Sequence, residues 1–275
     1  MIGSIPLQNM ELAQEVHGFC KTHRLQLNKD LGQHFLIDQA VLESIVETAD
    51  IRPQDCIVEI GSGIGVLTRE LLKAAKHVTA IEIDTKLIPL LNAFTHAPHH
   101  LTLINGNALQ VPFPTDPYKV VANIPYHITS PLLRHAFLES KQPPQSLTLL
   151  MQKEVAEKIC DTEHAGLLTI LVHLFGTPHT ICTVPPASFL PPPQVDSAVL
   201  YIECFPAPLT SPEILQQIFT LAKHAFSQKR KMLRNTVGTL PHGMALLHKA
   251  CIDPTRRPQT VTVQEWIELA KYTVH

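Results

Sequence analysis

Short apolar runs alternate with amphipathic segments along the first half of the chain. Four of the runs have the length and composition of buried parallel strands, at residues 56–60, 77–81, 101–105 and 119–122. Helices are predicted after the first two runs, at 66–75 and 85–94. Strands that alternate with helices in this way are typical of an α/β domain with a parallel sheet.

The rest of the chain extends this pattern. Residues 1–30 are predicted to form an N-terminal arm, and Asp38 is placed to cap the helix that follows the arm. The proline-dense segment 185–193 must be a loop, because proline cannot join a central ladder. The other predicted elements are helices near 10–22 and at 128–138, 153–159 and 167–175, and strands at 146–151, 177–184 and 195–205.

A proline-bounded linker at 206–212 predicts a domain boundary. We expect residues 1–205 to form the larger domain and residues 206–275 a small helical one, whose last helix starts at a capping box of Thr262 and Glu265. The small segment has nine Lys/Arg and four Asp/Glu, a net charge of +5, although the whole chain carries −2. A basic segment on an acidic body suits a protein that binds phosphates at one end.

Composition argues against zinc-binding, disulfide-stabilised, membrane-spanning and secreted proteins. The six cysteines are scattered without a Cys-x-x-Cys pair, which argues against a zinc site and a disulfide framework and favours a reducing cytoplasm. No apolar run is long enough to span a bilayer, and the N-terminus lacks the pattern of a signal peptide. The 16 histidines form no convincing ligand cluster, so no metal is predicted.

The first predicted strand runs into Gly61-Ser62-Gly63-Ile64-Gly65, and a helix follows. Strand, glycine turn and helix form a nucleotide-binding unit, because the missing side chains let a ligand approach the backbone. The spacing G-x-G-x-G differs from the G-x-G-x-x-G of dinucleotide enzymes. Glu82 follows about twenty residues later at the end of the second strand, where an acid holds ribose hydroxyls.

Two asparagines follow the third and fourth strands. The carboxyl ends of parallel strands meet at one edge of a sheet, so Asn107 and Asn123 are expected beside Gly61 and Glu82 in one cleft. The Asn107 side chain can contact an adenine edge or simply form an Asx turn, and both interpretations stay open.

The segment Asn123-Ile124-Pro125-Tyr126, the 123–126 motif, is the strongest candidate for the chemistry. Asn123 offers a carbonyl acceptor and an amide donor, Pro125 restricts the backbone, and Tyr126 can stack on a flat ligand. Taken alone, the motif is also compatible with an ordinary turn. The neighbouring strand ends favour a site for a planar base that bears an amine.

Three other segments each have two interpretations. Residues 31–38 form either a glycine turn entering a helix or a lid in which Gln33, His34 and Leu36 cover a cofactor. Phe189 lies either in a stiff connector or on a second stacking surface. A basic cluster without acids is either a solvated face or a phosphate contact, and it comprises Lys229, Arg230, Lys231 and Arg234.

Together these motifs resemble the ribosomal RNA adenine N6,N6-dimethyltransferases, which use S-adenosylmethionine. The resemblance extends over most of the chain and implies a Rossmann-like class I methyltransferase fold with a small all-helical C-terminal domain. Residues 225–235 are similar to the small-subunit enzymes of that family; the macrolide-resistance relatives, which modify large-subunit RNA, have a different C-terminal segment.

The resemblance also implies residue roles. His34 and Leu36 would border the cofactor together with Asn123, Gly61 would lie under its methionine portion, Glu82 would bind its ribose and Asn107 would face its adenine. The family's usual Asn is His at position 34, and its usual Asp is Asn at position 107. A neutral amide accepts without charge assistance, so cofactor affinity is the quantity that this departure affects.

The implied reaction is dimethylation of two adjacent adenosines near the 3′ end of small-subunit ribosomal RNA, within an immature subunit, by a monomer. Asn123 and a backbone carbonyl near Ile124 or Pro125 would orient the amine, while Tyr126 and Phe189 stack on the base. Alternatives are a methyltransferase for large-subunit RNA, DNA or a small molecule, and a ribosome-assembly factor that acts by binding. A nicotinamide dehydrogenase is the least supported, given the glycine spacing.

Overall fold

The computed structural model describes residues 7–25, 27–28, 31–228 and 230–273. The chain folds as two compact units, one of residues 1–156 and 179–203 and the other of residues 157–178 and 204–275. The predicted boundary after residue 205 lies two residues from the second of these divisions. The prediction did not anticipate that residues 157–178 group with the C-terminal segment.

The strands are β1 Phe35–Leu36, β2 Cys56–Ile60, β3 His77–Glu82, β4 Leu101–Asn105, β5 Lys119–Asn123, β6 Ser146–Gln152, β7 Gly176–Val184, β8 Phe189–Leu190 and β9 Ser197–Cys204. Among the described residues, a seven-stranded sheet forms the framework of the first unit, in the order β4-β3-β2-β5-β6-β9-β7. Strands β4, β3, β2, β5 and β6 run parallel, and β9 is antiparallel to β6. The predicted α/β fold with a mostly parallel sheet is confirmed.

Helices occupy all the predicted segments, and two further helices lie in the C-terminal segment that was predicted to be helical. They are α1 Leu7–Thr22, α2 Gln39–Thr48, α3 Val66–Ala74, α4 Ile88–Thr95, α5 Thr129–Arg134, α6 Lys153–Cys160, α7 Leu167–Phe175, α8 Pro212–Phe226, α9 Gly243–Lys249 and α10 Val263–Lys271. The predicted helix at 128–138 is divided into a 3₁₀ turn Tyr126–Ile128, α5 and a π-helical turn His135–Glu139.

The N-terminal arm is part of the core in its described portion. Leu12 and Val16 of α1 are buried in the same apolar cluster as Leu42 and Ile45 of α2. Asp38 caps α2 as predicted, since its Oδ1 accepts from the backbone N–H of Ala40 at 3.1 Å. Residues 1–6, 26, 29 and 30 of the arm lie outside the described residues.

A two-stranded antiparallel ladder of β1 and β8 was not predicted from the sequence. It pairs Leu36 with Phe189 and so joins the 31–38 segment to the proline-dense loop, apart from the main sheet. Ser188 reinforces the junction, because its hydroxyl donates to Oδ2 of Asp38 at 2.8 Å. A pairing of only two residues has no periodicity for sequence reasoning to detect.

In the second unit, hydrogen bonds explain why α7 groups with the C-terminal segment. The backbone N–H groups of Phe205 and Leu209 donate to the carbonyls of Phe175 and Leu174 at 2.8 and 3.0 Å. The predicted capping box is confirmed, since Thr262 Oγ1 accepts from the Glu265 N–H and Glu265 Oε2 accepts from the Thr262 N–H. Helices α8, α9 and α10 account for most of the regular structure after residue 205.

Candidate active site

A cleft opens at the carboxyl edge of the parallel strands, with a volume of about 1030 Å³ counted with the solvent at its mouth. The glycine turn after β2, the end of β3, the turn after β4 and the 123–126 motif after β5 all line it. The structure therefore brings the four predicted strand ends together. Of the predicted site residues, those that line the cleft are His34, Leu36, Gly61, Glu82, Asn107, Asn123, Pro125 and Tyr126.

The floor of the cleft requires glycine. Gly61 and Gly63 have φ angles of +70° and +60°, a backbone conformation that other residues adopt only with strain. A Cβ on Gly61 would lie 3.3 Å from Cδ of Pro125, and a Cβ on Gly63 would lie 2.9 Å from the ring of Phe35. The turn thus lies against the 123–126 motif, and a side chain on Gly61 would press the two apart.

Glu82 is buried in the wall of the cleft with a fixed orientation. Its Oε2 accepts from the backbone N–H of Gly63 and its Oε1 from that of Asp84, both at 2.8 Å. Burial raises the pKa of the Glu82 carboxyl above its usual range, against these hydrogen bonds, which lower it. Each oxygen keeps a second lone pair with which to accept from a ligand hydroxyl.

Sequence reasoning did not select Glu59, which ends up in the same cleft. Its side chain is 1% exposed, and burial, with a smaller contribution from the Glu82 charge, raises the pKa of the Glu59 carboxyl to about 8. Within the described part of the chain, Oε2 of Glu59 and Oγ of Ser62 have no hydrogen-bond partner. The available signal was an acidic residue inside the otherwise apolar strand that leads to the glycine turn.

Ile83 is a second residue that the predictions missed. It follows Glu82 directly, lines the cleft and is 52% exposed, which is unusual for an isoleucine. A flat ligand that covered it would remove apolar surface from water. Its position after the predicted ribose acid was the only sequence signal.

Asn107 forms the Asx turn that was one of its two interpretations. Its Oδ1 accepts from the backbone N–H of Leu109 at 3.0 Å, and its backbone carbonyl accepts from Gln110 and Val111. The side chain nevertheless lines the cleft, and Oδ1 keeps one lone pair. Its contact with adenine stays a prediction that is compatible with the turn.

Asn123 ends β5 with its side-chain amide held in one orientation. The amide Nδ2 donates to the backbone carbonyl of His34 at 3.0 Å, so Oδ1 is the end of the amide that remains for another donor. The next residue continues the strand pairing, because the Ile124 N–H donates to the Leu150 carbonyl at 3.1 Å. The acceptor of the motif is therefore fixed by both its side-chain and backbone hydrogen bonds.

Tyr126 lines the same cleft as Asn123. Its hydroxyl is hydrogen bonded to Oγ of Ser197 at 2.6 Å, and the imidazole of His34 lies nearly parallel to the phenol, at 17° with 6.1 Å between ring centres. Burial raises the pKa of Tyr126. The phenol therefore stays protonated near neutral pH and is suited to stacking rather than to accepting a proton.

The 31–36 segment is anchored at two points. Nε2 of Gln33 donates to Oδ2 of Asp84 at 2.8 Å, and Nδ1 of His34 donates to the carbonyl of Pro191 at 2.7 Å. These contacts tie the segment to the end of β3 and to the proline-dense loop, and Gln33, His34 and Leu36 line the cleft. Their role as a lid over a cofactor stays a prediction.

Phe189 is the one predicted catalytic residue that the structure does not bring to the cleft. It is 2% exposed, packs in the apolar core with Phe35 and Leu36, and is absent from the cleft lining. In this conformation its aromatic ring packs against core residues and is not accessible to a ligand in the cleft. Stacking of Phe189 on a base stays a prediction that requires the β1–β8 ladder to shift.

The basic cluster lies in the second unit. Arg230, Lys231 and Arg234 are exposed, and no ion pair is formed by these three within the part of the chain that the structure describes. Lys229 lies outside the described residues. By contrast, Arg256 donates two hydrogen bonds to the Glu265 carboxylate, whose negative charge offsets that of the guanidinium.

Across the described residues, no helix combines the length and the apolar character needed to cross a membrane. The same residues contain no group of three or more His, Cys, Asp or Glu side chains placed to hold a metal ion.

Comparisons with known proteins agree on one family. The family model described as ribosomal RNA adenine dimethylase matches residues 24–274. The ribosomal RNA small subunit methyltransferase A of Dehalococcoides mccartyi strain BAV1 is 38% identical over 98% of this chain and 94% of its own length. The protein of the same name from Alkaliphilus metalliredigens is 39% identical over 90% of this chain and 92% of its own.

Two solved structures are similar over most of the chain. A dimethyladenosine transferase from Plasmodium falciparum superposes with a TM-score of 0.74 at 26% identity, covering 86% of this chain and 96% of its own. The 23S rRNA methyltransferase ErmE gives a TM-score of 0.69 at 27% identity, covering 88% of this chain and 100% of its own.

Proposed function

This chain belongs to the ribosomal RNA adenine dimethylase family, and we propose that it dimethylates the N6 amines of two adjacent adenosines near the 3′ end of small-subunit ribosomal RNA. Its general activity is S-adenosylmethionine-dependent methylation of adenines in ribosomal RNA. The choice of the small subunit is supported by the curated relatives, which are named for it and match at higher identity than the large-subunit enzyme.

The cleft fits the methyl donor. The glycine turn lines the cleft with Gly61 and Gly63, which carry no side chains, the Glu82 oxygens can accept from ribose hydroxyls, and Ile83 offers an apolar face to a ring. Glu59 and Ser62 add buried oxygens whose hydrogen-bonding capacity is unfilled. When bound, S-adenosylmethionine supplies a methyl group on a positively charged sulfur, which leaves as a neutral thioether.

The fixed amide of Asn123 is the observation that carries the mechanism. An adenine amine is a poor nucleophile, because its lone pair is delocalised into the ring. Oδ1 of Asn123 would accept one N–H of that amine, and a backbone carbonyl would accept the other. The nitrogen then moves toward tetrahedral geometry, and its lone pair is directed away from both acceptors.

The structure favours Ile124 over Pro125 as the second acceptor. The carbonyl of Pro125 already accepts from the backbone N–H of Ile128 at 3.1 Å. The Ile124 carbonyl directly follows Asn123 and is the nearer alternative along the chain. No dedicated base is required, since the alkylated nitrogen is cationic and strongly acidic, and Tyr126 serves as a stacking surface for the base.

We further propose that the basic cluster, Lys229 included, contacts ribosomal RNA. Arg230, Lys231 and Arg234 are exposed, and exposed cations are the groups that neutralise phosphates; Arg234 also interacts electrostatically with Asp253. The expected substrate is an immature small ribosomal subunit in the cytoplasm, and the enzyme is expected to act as a monomer.

A substrate panel tests the proposal. The purified protein is incubated with a radiolabelled methyl donor and, separately, with immature small subunits, naked small-subunit RNA, large-subunit RNA and duplex DNA. We expect label in small-subunit RNA, most of it from the immature particle. Label confined to large-subunit RNA or to DNA would overturn the proposed substrate while leaving the enzyme class intact.

A further inference from the structure

One buried histidine outside the cleft connects two segments that border the cleft: the turn after β4 and the helical segment after β5. His135 is the first residue of the π-helical turn that continues α5, and α5 follows the 123–126 motif along the chain. The residue is 8% exposed, and it does not line the cleft. The mechanism above gives it no role.

Both nitrogens of the His135 ring have partners. Nε2 lies 3.0 Å from the backbone carbonyl of Val111, and Nδ1 lies 3.1 Å from Oε2 of Glu139. A carbonyl oxygen only accepts, so Nε2 carries a proton and donates to Val111. The ring also packs edge-on against Phe113, with 4.8 Å between ring centres. The orientation of the imidazole is therefore fixed on three sides.

Val111 belongs to the turn that carries Asn107. The Val111 N–H donates to the Asn107 carbonyl at 3.1 Å, while the Val111 carbonyl accepts from His135. A Cβ on Gly106 would lie only 3.2 Å from Cγ2 of Val111, which shows how closely the turn folds upon itself. One residue thus links Asn107 to the helical segment that begins with the 123–126 motif.

We propose that His135 is a positioning residue for the methyl-donor site: its Nε2–H holds Val111, and through Val111 it holds Asn107 at the adenine side of the cleft. The inference rests on the proposed contact of Asn107 with the cofactor adenine. Loss of the Nε2–H donor leaves the Val111 carbonyl without its partner and frees the 106–111 turn to move relative to the 123–126 motif.

Two amide substitutions separate this role from general packing. In His135→Gln the amide nitrogen reaches about as far as Nε2 and can donate to Val111, whereas in His135→Asn it is one carbon shorter and cannot. A matched control is His173→Asn, since Nε2 of His173 makes a similar bond to the Ile159 carbonyl at 3.1 Å within the second unit. Affinity for S-adenosylhomocysteine is measured on the full chain by calorimetry, with melting temperature alongside.

We expect His135→Asn to weaken S-adenosylhomocysteine binding about tenfold, the equivalent of one hydrogen bond, and His135→Gln to stay within about threefold of the wild type. His173→Asn should leave this affinity unchanged even where it lowers the melting temperature. Equal affinity in both His135 variants, whether at the wild-type value or below it, would overturn the inference. A wild-type chain that binds the cofactor product but methylates no ribosomal RNA would instead overturn the proposed function.

Discussion

The cleft of the first unit and the basic cluster of the second differ in how firmly their side chains are held. In the cleft, Asn123, Glu82 and Gln33 are each held by hydrogen bonds from other segments, so their acceptors point in fixed directions. In the basic cluster, the described cations are exposed, and no hydrogen bond from another segment fixes their side chains within the described part of the chain. Chemistry on an amine needs fixed geometry, whereas contact with an RNA backbone needs charge more than orientation. Substitutions in the cleft should therefore lower the rate of methyl transfer, and substitutions in the basic cluster should weaken RNA binding.

The largest effect is expected from Asn123→Ala, which should lower the rate of methyl transfer without weakening cofactor binding. Loss of Oδ1 removes an acceptor that orients the amine, so methyl transfer should fall at least about a thousandfold, the upper range for loss of one preorganised group. The Gly61 turn and Glu82 are untouched, so affinity for S-adenosylhomocysteine should change little. Single-turnover transfer and calorimetry measure the two quantities, with Asn92→Ala in α4 as the control. Retained turnover in the Asn123 variant would contradict the mechanism.

Glu59 should make the first unit less stable as pH rises. Its folded-state pKa of about 8 lies above the usual carboxyl value of 4.5, so the unfolded chain loses this proton first and the folded state loses stability between these two values. Glu59→Gln removes that loss, which is at most about 1.4 kcal/mol per pH unit.

Urea unfolding of the wild type and of Glu59→Gln from pH 5 to pH 8 checks this prediction. The variant should gain stability over the wild type as pH increases. Glu43→Gln provides the control, because Glu43 is exposed on α2 of the same unit and should contribute little. A constant difference between wild type and Glu59→Gln across this range would show that Glu59 is already ionised in the folded chain.

Gly61→Ala should weaken the affinity for S-adenosylhomocysteine about thirtyfold, a smaller change than the loss of methyl transfer in Asn123→Ala. Alanine is strained at a φ of +70°, and its Cβ would lie 3.3 Å from Cδ of Pro125. The turn and the 123–126 motif must therefore move apart. Gly18→Ala is the matched control, since Gly18 lies in α1 with no atom within 4 Å of its Cβ position. That control should be neutral or slightly stabilising. Equal cofactor affinity in both variants would count against close contact at Gly61.

The smallest effect on chemistry is expected in the second unit. Replacing Arg230, Lys231 and Arg234 together with alanine should weaken binding to small-subunit RNA about tenfold at moderate salt and reduce its salt dependence. Turnover at saturating RNA should be retained. Lys271→Ala serves as the control, because Lys271 pairs with Glu268 in the same unit. Unchanged RNA affinity in the triple variant would assign the basic cluster to a solvated face.

Most of the first unit was predictable because its signals are local. The bounds of β2 and β4 in this unit, and of α7 in the second unit, equal the predicted ones, since each is a mostly apolar run with clear ends. The gathering of Gly61, Glu82, Asn107 and Asn123 followed from parallel strand topology, which places their ends at one edge.

The features that could not be predicted depend on contacts distant in sequence. The burial of Phe189 results from pairing with Leu36 across about 150 residues, and the bond from Asn123 to the His34 carbonyl spans 89. The placement of α7 with the C-terminal segment depends in the same way on Phe205 and Leu209. No local pattern encodes these partners, so only the folded chain reveals which acceptor of the 123–126 motif is available.

Nucleoside mass spectrometry of small-subunit RNA is the most direct test of the central claim, that a fixed Asn123 acceptor directs dimethylation of two adjacent adenosines. Immature subunits are incubated with the methyl donor and either the wild type or Asn123→Ala, and the modified positions are mapped. The wild type should yield N6,N6-dimethyladenosine at two neighbouring positions near the 3′ end, and the variant essentially none. Dimethyladenosine from both proteins, or from neither, would contradict the account.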